Sequence, residues 1–264
     1  MSQHNQYQHT LDAGRRVAAP SIVSAAEMQA RRDLAAAYRL CVLNGWEDLI
    51  YTHISMRVPG EPHHFLINPF GLSFDEVTAS NLVKIDDEGR IVGDSRHTVN
   101  TAAFVIHSAV HRARPEIHCV MHLHTPGGMA LSMLQCGLLP VSQHALMFYK
   151  RIGYHKYEGI ALDTAERERL VADLGSHKVL ILHNHGLLTC GETVAEAFVQ
   201  MFNLEKAAGA QLAAMAASDE LVLPSSEVCE LTAQQHNRHS EPVGAHEWPA
   251  LLRKLDRAGV GYRE

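Results

Sequence analysis

Residues 118–128, HCVMHLHTPGG, place three histidines in a run whose other members are largely apolar. The apolar and β-branched residues up to Leu123 are typical of a buried strand, and Thr-Pro-Gly-Gly ends it. Alternate residues of a strand point to the same side of a sheet, so His122 and His124 are predicted to share one face. His118 has the same parity but lies further back. Two imidazoles at this spacing can hold one metal ion.

A second apolar segment, residues 179–191, reads VLILHNHGLLTCG and predicts two buried strands around an Asn-His-Gly turn. It offers His183 or His185 as a third ligand. Three nitrogen ligands leave an open position for water or substrate, as in catalytic zinc sites. An isolated His-X-His is more often structural, so a metal site and a set of core histidines both remain open from the residues alone.

Helical signals surround these strands. Ser24-Ala-Ala-Glu27 is a capping box before a helical pattern, residues 101–115 form another that ends before a proline, and Thr193 opens a long helix. Helices alternate irregularly with short strands, which indicates an α/β fold around one sheet. We expect a flexible tail at 1–20, one domain at 21–220, and a C-terminal extension at 221–264 that packs on the domain or trails from it.

The composition excludes several classes of protein. The chain has 264 residues, a net charge of -6 and 46% hydrophobic residues, so no basic face for nucleic acid is indicated. The sequence has no run of about 18 apolar residues, so no membrane span is predicted. The five cysteines are scattered, without a Cys-X-X-Cys pair, as in a reduced protein. The polar start lacks a signal-peptide core, so a cytoplasmic location is expected.

Further histidines could bind metal. His107 and His111 lie four residues apart on the predicted helix, a spacing that can hold an ion. A non-ligand role is favoured for this pair, with one helix face pointing at the site or at solvent.

Four segments together resemble the class II aldolase and adducin N-terminal domain family, closest to its adducin-like bacterial branch. They are YTHISMRVPG (51–60), FLINPFGLSFDEVTASNLVKID (65–86), HSAVHRARPEIHCVMHLHTPGGMALS (107–132) and LILHNHGLLTCGETVAEAF (180–198). The resemblance covers roughly residues 25–220, in the same order and spacing.

The resemblance implies a three-layer α/β/α fold with a central, mostly antiparallel sheet. It implies a homotetramer with the site near a subunit interface, and a small-molecule substrate. It also implies a divalent metal, usually Zn²⁺ and sometimes Fe²⁺, Mn²⁺ or Co²⁺. The family's metal ligands fall on His122, His124 and His185, and His183 takes a supporting or packing position.

The chain departs from the family's sugar-phosphate aldolases at three places. Their acid/base Glu falls on Ala103, and the two serines before it, which hold phosphate, fall on Thr101 and Ala102. The Gly-Asn pair, another phosphate contact, falls on Thr52-His53. The resemblance therefore implies a metal site without the usual base and with at least half of the phosphate pocket gone.

These departures shape the predicted function. Retro-aldol cleavage needs a base for the hydroxyl proton, whereas decarboxylation needs none for bond breaking. We expect a metal-dependent lyase, an aldolase-like enzyme or decarboxylase, acting on a small hydroxy- or oxo-acid. Two alternatives remain: an Fe(II)-dependent oxidative decarboxylase or oxygenase, and a non-catalytic adducin-like binding protein.

A substitute base is sought in YHKYEGIALD (154–163), which relatives bring near the site. Glu158 is the first candidate from this segment, which also holds Tyr154, His155 and Tyr157, and an ordinary surface loop is the alternative. His111 is a weaker candidate for the catalytic base, and so is His144. The residues predicted to line the substrate pocket are Asn68, Gly71 and Thr101.

Overall fold

The computed structural model of the protein describes residues 23–159, 166–237 and 241–264. The predicted tail at 1–20 lies outside them. The helices are α1 (Ala25–Asn44), α2 (Thr101–Ala113), α3 (Pro126–Ser132), α4 (Gln143–Leu146), α5 (Glu166–Leu174), α6 (Val194–Ala217), α7 (Ser226–Asn237) and α8 (Glu247–Ala258), with a short 3₁₀ helix at Phe74–Glu76.

Within these residues, seven strands form one sheet. They are β1 (His53–Val58), β2 (Glu61–Ile67), β3 (Val83–Asp86), β4 (Cys119–Leu123), β5 (Gly153–His155), β6 (Val179–Leu182) and β7 (Gly186–Gly191). Their order across the sheet is β3-β2-β1-β4-β7-β6-β5. Each neighbouring pair is antiparallel except β5 and β6, which are parallel. None of the described helices is long and apolar enough to cross a membrane.

Helices cover both faces of the sheet, because strand residues alternate between two cores. In β4, Met121 packs with α1, α3 and α6, whereas Val120 packs with α2 and α5. The predicted three-layer α/β/α fold with a mostly antiparallel sheet is confirmed. His122 and His124 have the parity of Val120, so both lie on the face covered by α2 and α5.

The Thr-Pro-Gly-Gly turn fixes the end of β4. Backbone N–H groups of Gly127 and Gly128 each donate to the Glu205 carboxylate at 2.8 Å, and the Thr125 hydroxyl donates to it at 2.5 Å. A Cβ at Gly128 would lie 2.4 Å from Leu187 Cδ1 and 2.5 Å from Thr125 Oγ1, so a larger residue would displace these side chains. This anchor to α6 holds the chain immediately after His124.

The C-terminal residues add two helices after α6. Trp248 and Leu255 of α8 are buried in the core with α1 and α6, and the indole of Trp248 donates to Asp33 at 2.9 Å. The backbone N–H of Ala79 donates to the Tyr262 carbonyl at 2.9 Å, and that of Ser80 donates to the Glu264 carbonyl at 2.7 Å. The end of the chain therefore packs on the domain.

Candidate metal centre

Three imidazoles meet at one end of the sheet. His122 and His124 come from the end of β4, and His185 comes from the turn between β6 and β7. Their ring centroids are 4.7 to 5.0 Å apart. One nitrogen of each ring lies within 4.8 Å of the others. His122 is buried, and the other two are half-buried.

The outer ring nitrogens of the β4 pair have partners that set the orientation of each ring. His122 Nδ1 lies 3.0 Å from the Leu187 carbonyl oxygen, to which it donates. His124 Nδ1 lies 2.8 Å from Asp48 Oδ2 and donates to that carboxylate. Both rings therefore present Nε2 as the lone-pair nitrogen. His124 Nε2 is buried and has no hydrogen-bond partner among the described residues.

The turn that carries His185 packs against the end of β4 and against α3. Asn184 has φ 55°, a left-handed conformation that asparagine tolerates. A Cβ at Gly186 would lie 2.6 Å from the Leu123 carbonyl oxygen. His183 Nδ1 donates to the Ser132 carbonyl at 3.1 Å, and its ring stacks on Tyr154. The structure therefore keeps His183 out of the three-histidine cluster.

The cluster favours neutral imidazoles. Burial lowers the pKa of His122 well below its usual value, and the neighbouring imidazoles of His185, His124 and His53 lower it further. Burial, then His124 and His155, lowers the pKa of His185 to about 4. Neutral imidazole is the form that binds a metal ion. His122 and His185 are therefore neutral at neutral pH and need lose no proton to bind a metal ion.

More imidazoles lie behind His122, on the face covered by α2. His53 pairs with His122 across β1 and β4, and its ring centroid is 4.1 Å from that of His107 on α2. The Ser55 hydroxyl lies 2.7 Å from His107 Nδ1 and 2.8 Å from His111 Nε2. The helical pair is thus buried against β1, and neither ring belongs to the group of His122, His124 and His185.

His111 makes the metal-free protein sensitive to acid. Burial lowers its pKa to about 3, while in the unfolded chain it titrates near 6.5. Between these values the unfolded state binds more protons, so the free energy of unfolding falls as pH drops from about 6.5 toward 3. We expect His111→Gln to reduce this slope by up to about 1.4 kcal/mol per pH unit in urea unfolding between pH 7 and 4.5. Equal slopes in both proteins would contradict the assignment.

The first turn of α2 lies at the cluster end of the sheet. His107 packs beside His53, while His111, one turn further on, hydrogen-bonds the Ile117 carbonyl at the far end of β4. The helix therefore runs away from the cluster, and its first turn contains no acidic residue. Thr52, directly before His53, is a β-branched residue at φ 62°, a strained conformation of the kind found at functional sites.

The other predicted site residues are more scattered. Glu158 forms an ion pair with Arg169, which lowers the pKa of its carboxyl and makes it a weaker base. Asn68 is buried, with its Oδ1 3.0 Å from the Tyr38 hydroxyl, and Gly71 has φ 92° in the loop after β2. Thr101 begins α2, but its side chain lies outside the described part of the structure. The roles assigned to these residues, and to His111, stay predictions.

Two features of the site were missed from the sequence. One is Asp48, which follows α1 and reaches His124 from 76 positions away. The other is Asp173, whose carboxylate lies 2.8 Å from Nδ1 of His155. His155 itself, in the segment named above for a substitute base, lines a cavity together with Tyr157, His183 and His185. Both depend on long-range packing, although a carboxylate partner for a ligand histidine is a general expectation.

Comparison with known proteins places the chain in a family. The model of the class II aldolase and adducin N-terminal domain matches residues 32–212. A putative aldolase class 2 protein of Caulobacter vibrioides is 50% identical over 243 residues, which are 92% of this chain and 95% of that one. Alpha-adducin of Rattus norvegicus is 45% identical over 248 residues, 88% of this chain and 33% of that one.

Solved structures agree with this. An aldolase II superfamily protein from Pseudomonas syringae has 52% identity and a TM-score of 0.89, covering 92% of this chain and 98% of that one. An L-fuculose 1-phosphate aldolase from Glaciozyma antarctica has 30% identity and a TM-score of 0.81, with coverage of 94% and 97%. The chain belongs to the class II aldolase and adducin N-terminal domain family.

Proposed function

We propose that the protein is a metal-dependent lyase that breaks a C–C bond in a small hydroxy- or oxo-acid, as an aldolase-like enzyme or a decarboxylase. The observation that carries this proposal is the convergence of His122, His124 and His185. In the first two, Nδ1 is engaged by the protein, so the lone-pair Nε2 is left for the cluster. A buried, unpartnered His124 Nε2 costs stability unless something binds it.

The donor set fits zinc best. Zinc is commonly held by three imidazoles with a further position open to water or substrate, and here one nitrogen from each of the three rings lies within 4.8 Å of the others. Non-haem iron oxygenases typically use two histidines and one carboxylate, whereas these three donors are all nitrogens. Zinc is therefore proposed ahead of iron, manganese and cobalt, and a lyase ahead of an oxidative decarboxylase.

A divalent metal bound here would act as a Lewis acid that polarises substrate oxygens. Burial keeps His122 and His185 neutral, and the chain supplies polar groups beside the cluster. Tyr157, half exposed, lies with its ring centroid 6.3 Å from that of His185 and can donate a proton from its phenol. The missing acid in the first turn of α2 supports chemistry that does not need the usual base there.

The substrate is proposed to be unphosphorylated. The L-fuculose 1-phosphate aldolase relative is named for a sugar phosphate. Here Thr52-His53 and Thr101-Ala102 stand where the family's phosphate contacts are expected. His53 is buried against His107 rather than open to a ligand. A small acid that binds through its carboxylate and neighbouring oxygen needs no phosphate pocket.

We also propose that the protein works in the cytoplasm as a homo-oligomer, as a tetramer by analogy with its family. Several large apolar side chains near α7 are exposed in the single chain, among them Val222, Leu223 and Leu231. Contiguous exposed apolar surface is typical of subunit contacts. Sedimentation analysis tests this, and a monomer at micromolar concentration would contradict it.

Asp48 is expected to tune metal affinity through His124. Asp48→Ala should weaken zinc binding by about 10- to 100-fold, as loss of a carboxylate behind a ligand histidine does. Competition with a zinc chelator measures the change. Asp87→Ala is the matched control, because Asp87 pairs with His63 at 2.7 Å on the surface. Zinc affinity within twofold of wild type in Asp48→Ala would contradict the role.

The proposed activity is tested by incubating zinc-loaded protein with panels of keto- and hydroxy-acids, with and without phosphate. Release of CO₂ or an aldehyde from an unphosphorylated acid is the expected result. A strong preference for phosphorylated substrates would contradict the substrate class. Oxygen consumption by the iron-loaded protein would favour the oxidative alternative. If the metal-loaded protein turns over none of these acids, an adducin-like binding role is favoured.

A further inference from the structure

His155 lies between two carboxylates of α5. It ends β5, and its Nδ1 lies 2.8 Å from Asp173 Oδ2. Its Nε2 lies 3.5 Å from Glu166 Oε1, within ion-pair range but without hydrogen-bond geometry. His155 is 3% exposed, and in the described parts of the chain its Nε2 has no hydrogen-bond partner.

Close packing of α5 on β5 creates this arrangement. A Cβ at Gly153 would lie 2.3 Å from the Asp173 carbonyl oxygen, so only glycine allows the helix to approach. The approach brings the Asp173 carboxylate to His155, two residues along the strand. Because His155 donates from Nδ1 to that carboxylate, its neutral ring carries the lone pair on Nε2.

His155 lines a small cavity beside the cluster. The other residues of its lining include Glu166, Leu170, Tyr157, His183 and His185, and His185 is one of the three cluster histidines. The imidazoles of His155 and His185 therefore border the same space. The first turn of α2 holds no acidic residue that could act as a base, whereas His155 is buried and oriented by a carboxylate.

The geometry points to His155 as the residue that carries the proton to and from the substrate carbon, an inference that rests on the proposed lyase function. Asp173 is its positioning residue. In one direction the Nε2 lone pair takes a proton from carbon, and the C–H electrons become the C=C bond of an enolate. In the other direction the Nε2–H proton bonds to the enolate carbon, and its N–H electrons stay on nitrogen. Glu166 stabilises the imidazolium between the two steps.

A purely structural clamp between β5 and α5 is the competing explanation. It predicts that changes to His155 alter stability but not proton transfer. The test therefore uses proton exchange at carbon, which a clamp does not affect once the protein is folded and loaded.

The probe is pyruvate, whose methyl protons exchange for deuterium through its enolate when the solvent is D₂O. Proton NMR measures the rate of this exchange. His155→Gln, folded and zinc-loaded, should exchange at least about 100-fold more slowly than wild type. Asp173→Asn, which keeps a hydrogen-bonding side chain, should exchange about tenfold more slowly than wild type, or slower still. His63→Gln changes another histidine paired to an aspartate and should stay within twofold. A His155→Gln rate within threefold of wild type would overturn the proposal.

A second readout does not depend on turnover. In ¹⁵N-histidine-labelled, zinc-loaded wild-type protein, pyruvate should shift the Nε2 resonance of His155 and leave that of His63 unchanged. An unchanged His155 resonance overturns the proposal even if His155→Gln fails to fold. Wild-type protein that exchanges pyruvate no faster than buffer contradicts the proposed lyase function. The His155 resonance then decides separately whether the imidazole faces a bound acid.

Discussion

His122→Ala is expected to abolish metal binding and all lyase activity while leaving the chain folded. The ring is buried in the cluster and supplies one of its three nitrogens. Loss of an outer partner already costs 10- to 100-fold in metal affinity, so loss of a ligand should cost more than about 100-fold. Zinc content after dialysis and turnover of the best acid substrate measure the two effects.

His118→Ala is the matched control for this variant. His118 has the same strand parity but is exposed and lies outside the cluster. It should keep zinc and activity within twofold of wild type. Unchanged zinc content in His122→Ala would contradict the metal site, and loss of zinc in both variants would indicate a general effect on the strand.

Gly186→Ala should disturb the fold and the cluster together. The new Cβ would meet the Leu123 carbonyl at 2.6 Å and His124 Cδ2 at 3.1 Å. Because the carbonyl belongs to the strand backbone, β4 and β7 must move apart next to His124, which follows β4, and His185, which precedes β7. We expect a loss of about 1–3 kcal/mol in the free energy of unfolding, as overpacking costs, together with weaker zinc binding.

Gly209→Ala provides the control. A Cβ at Gly209, within α6, has no neighbour within 4 Å, so alanine should leave stability unchanged or raise it by up to about 1 kcal/mol. Urea unfolding and chelator competition on both variants separate the two positions. Gly186→Ala with wild-type stability and zinc affinity would show that the turn is not constrained as described.

The sequence predicted those features that depend on local pattern. Strand parity put His122 and His124 on one face, the Asn-His-Gly turn was recognised around Asn184, and Ser24 caps α1 by accepting from Glu27 at 3.0 Å. The mostly antiparallel sheet was implied only by the family resemblance. The order of its strands has no local signal, because it follows from how distant segments pack.

The surroundings of the cluster were harder to predict for the same reason. Asp48 and His124, and likewise His155 and Asp173, meet only through tertiary packing. Periodicity identified the helix that carries His107 and His111, but not that Ser55 would hydrogen-bond both rings. Residue type indicates which side chains can do chemistry, whereas their partners are fixed by the fold.

The most direct test of the account is the metal content of wild-type protein purified without chelators and without oxygen. Elemental analysis should give close to one divalent ion per chain, with zinc ahead of iron. The ion should be bound by no cysteine, since the cluster consists of His122, His124 and His185. A protein that holds no stoichiometric metal, and takes up none from added zinc, iron, manganese or cobalt, would contradict the central claim.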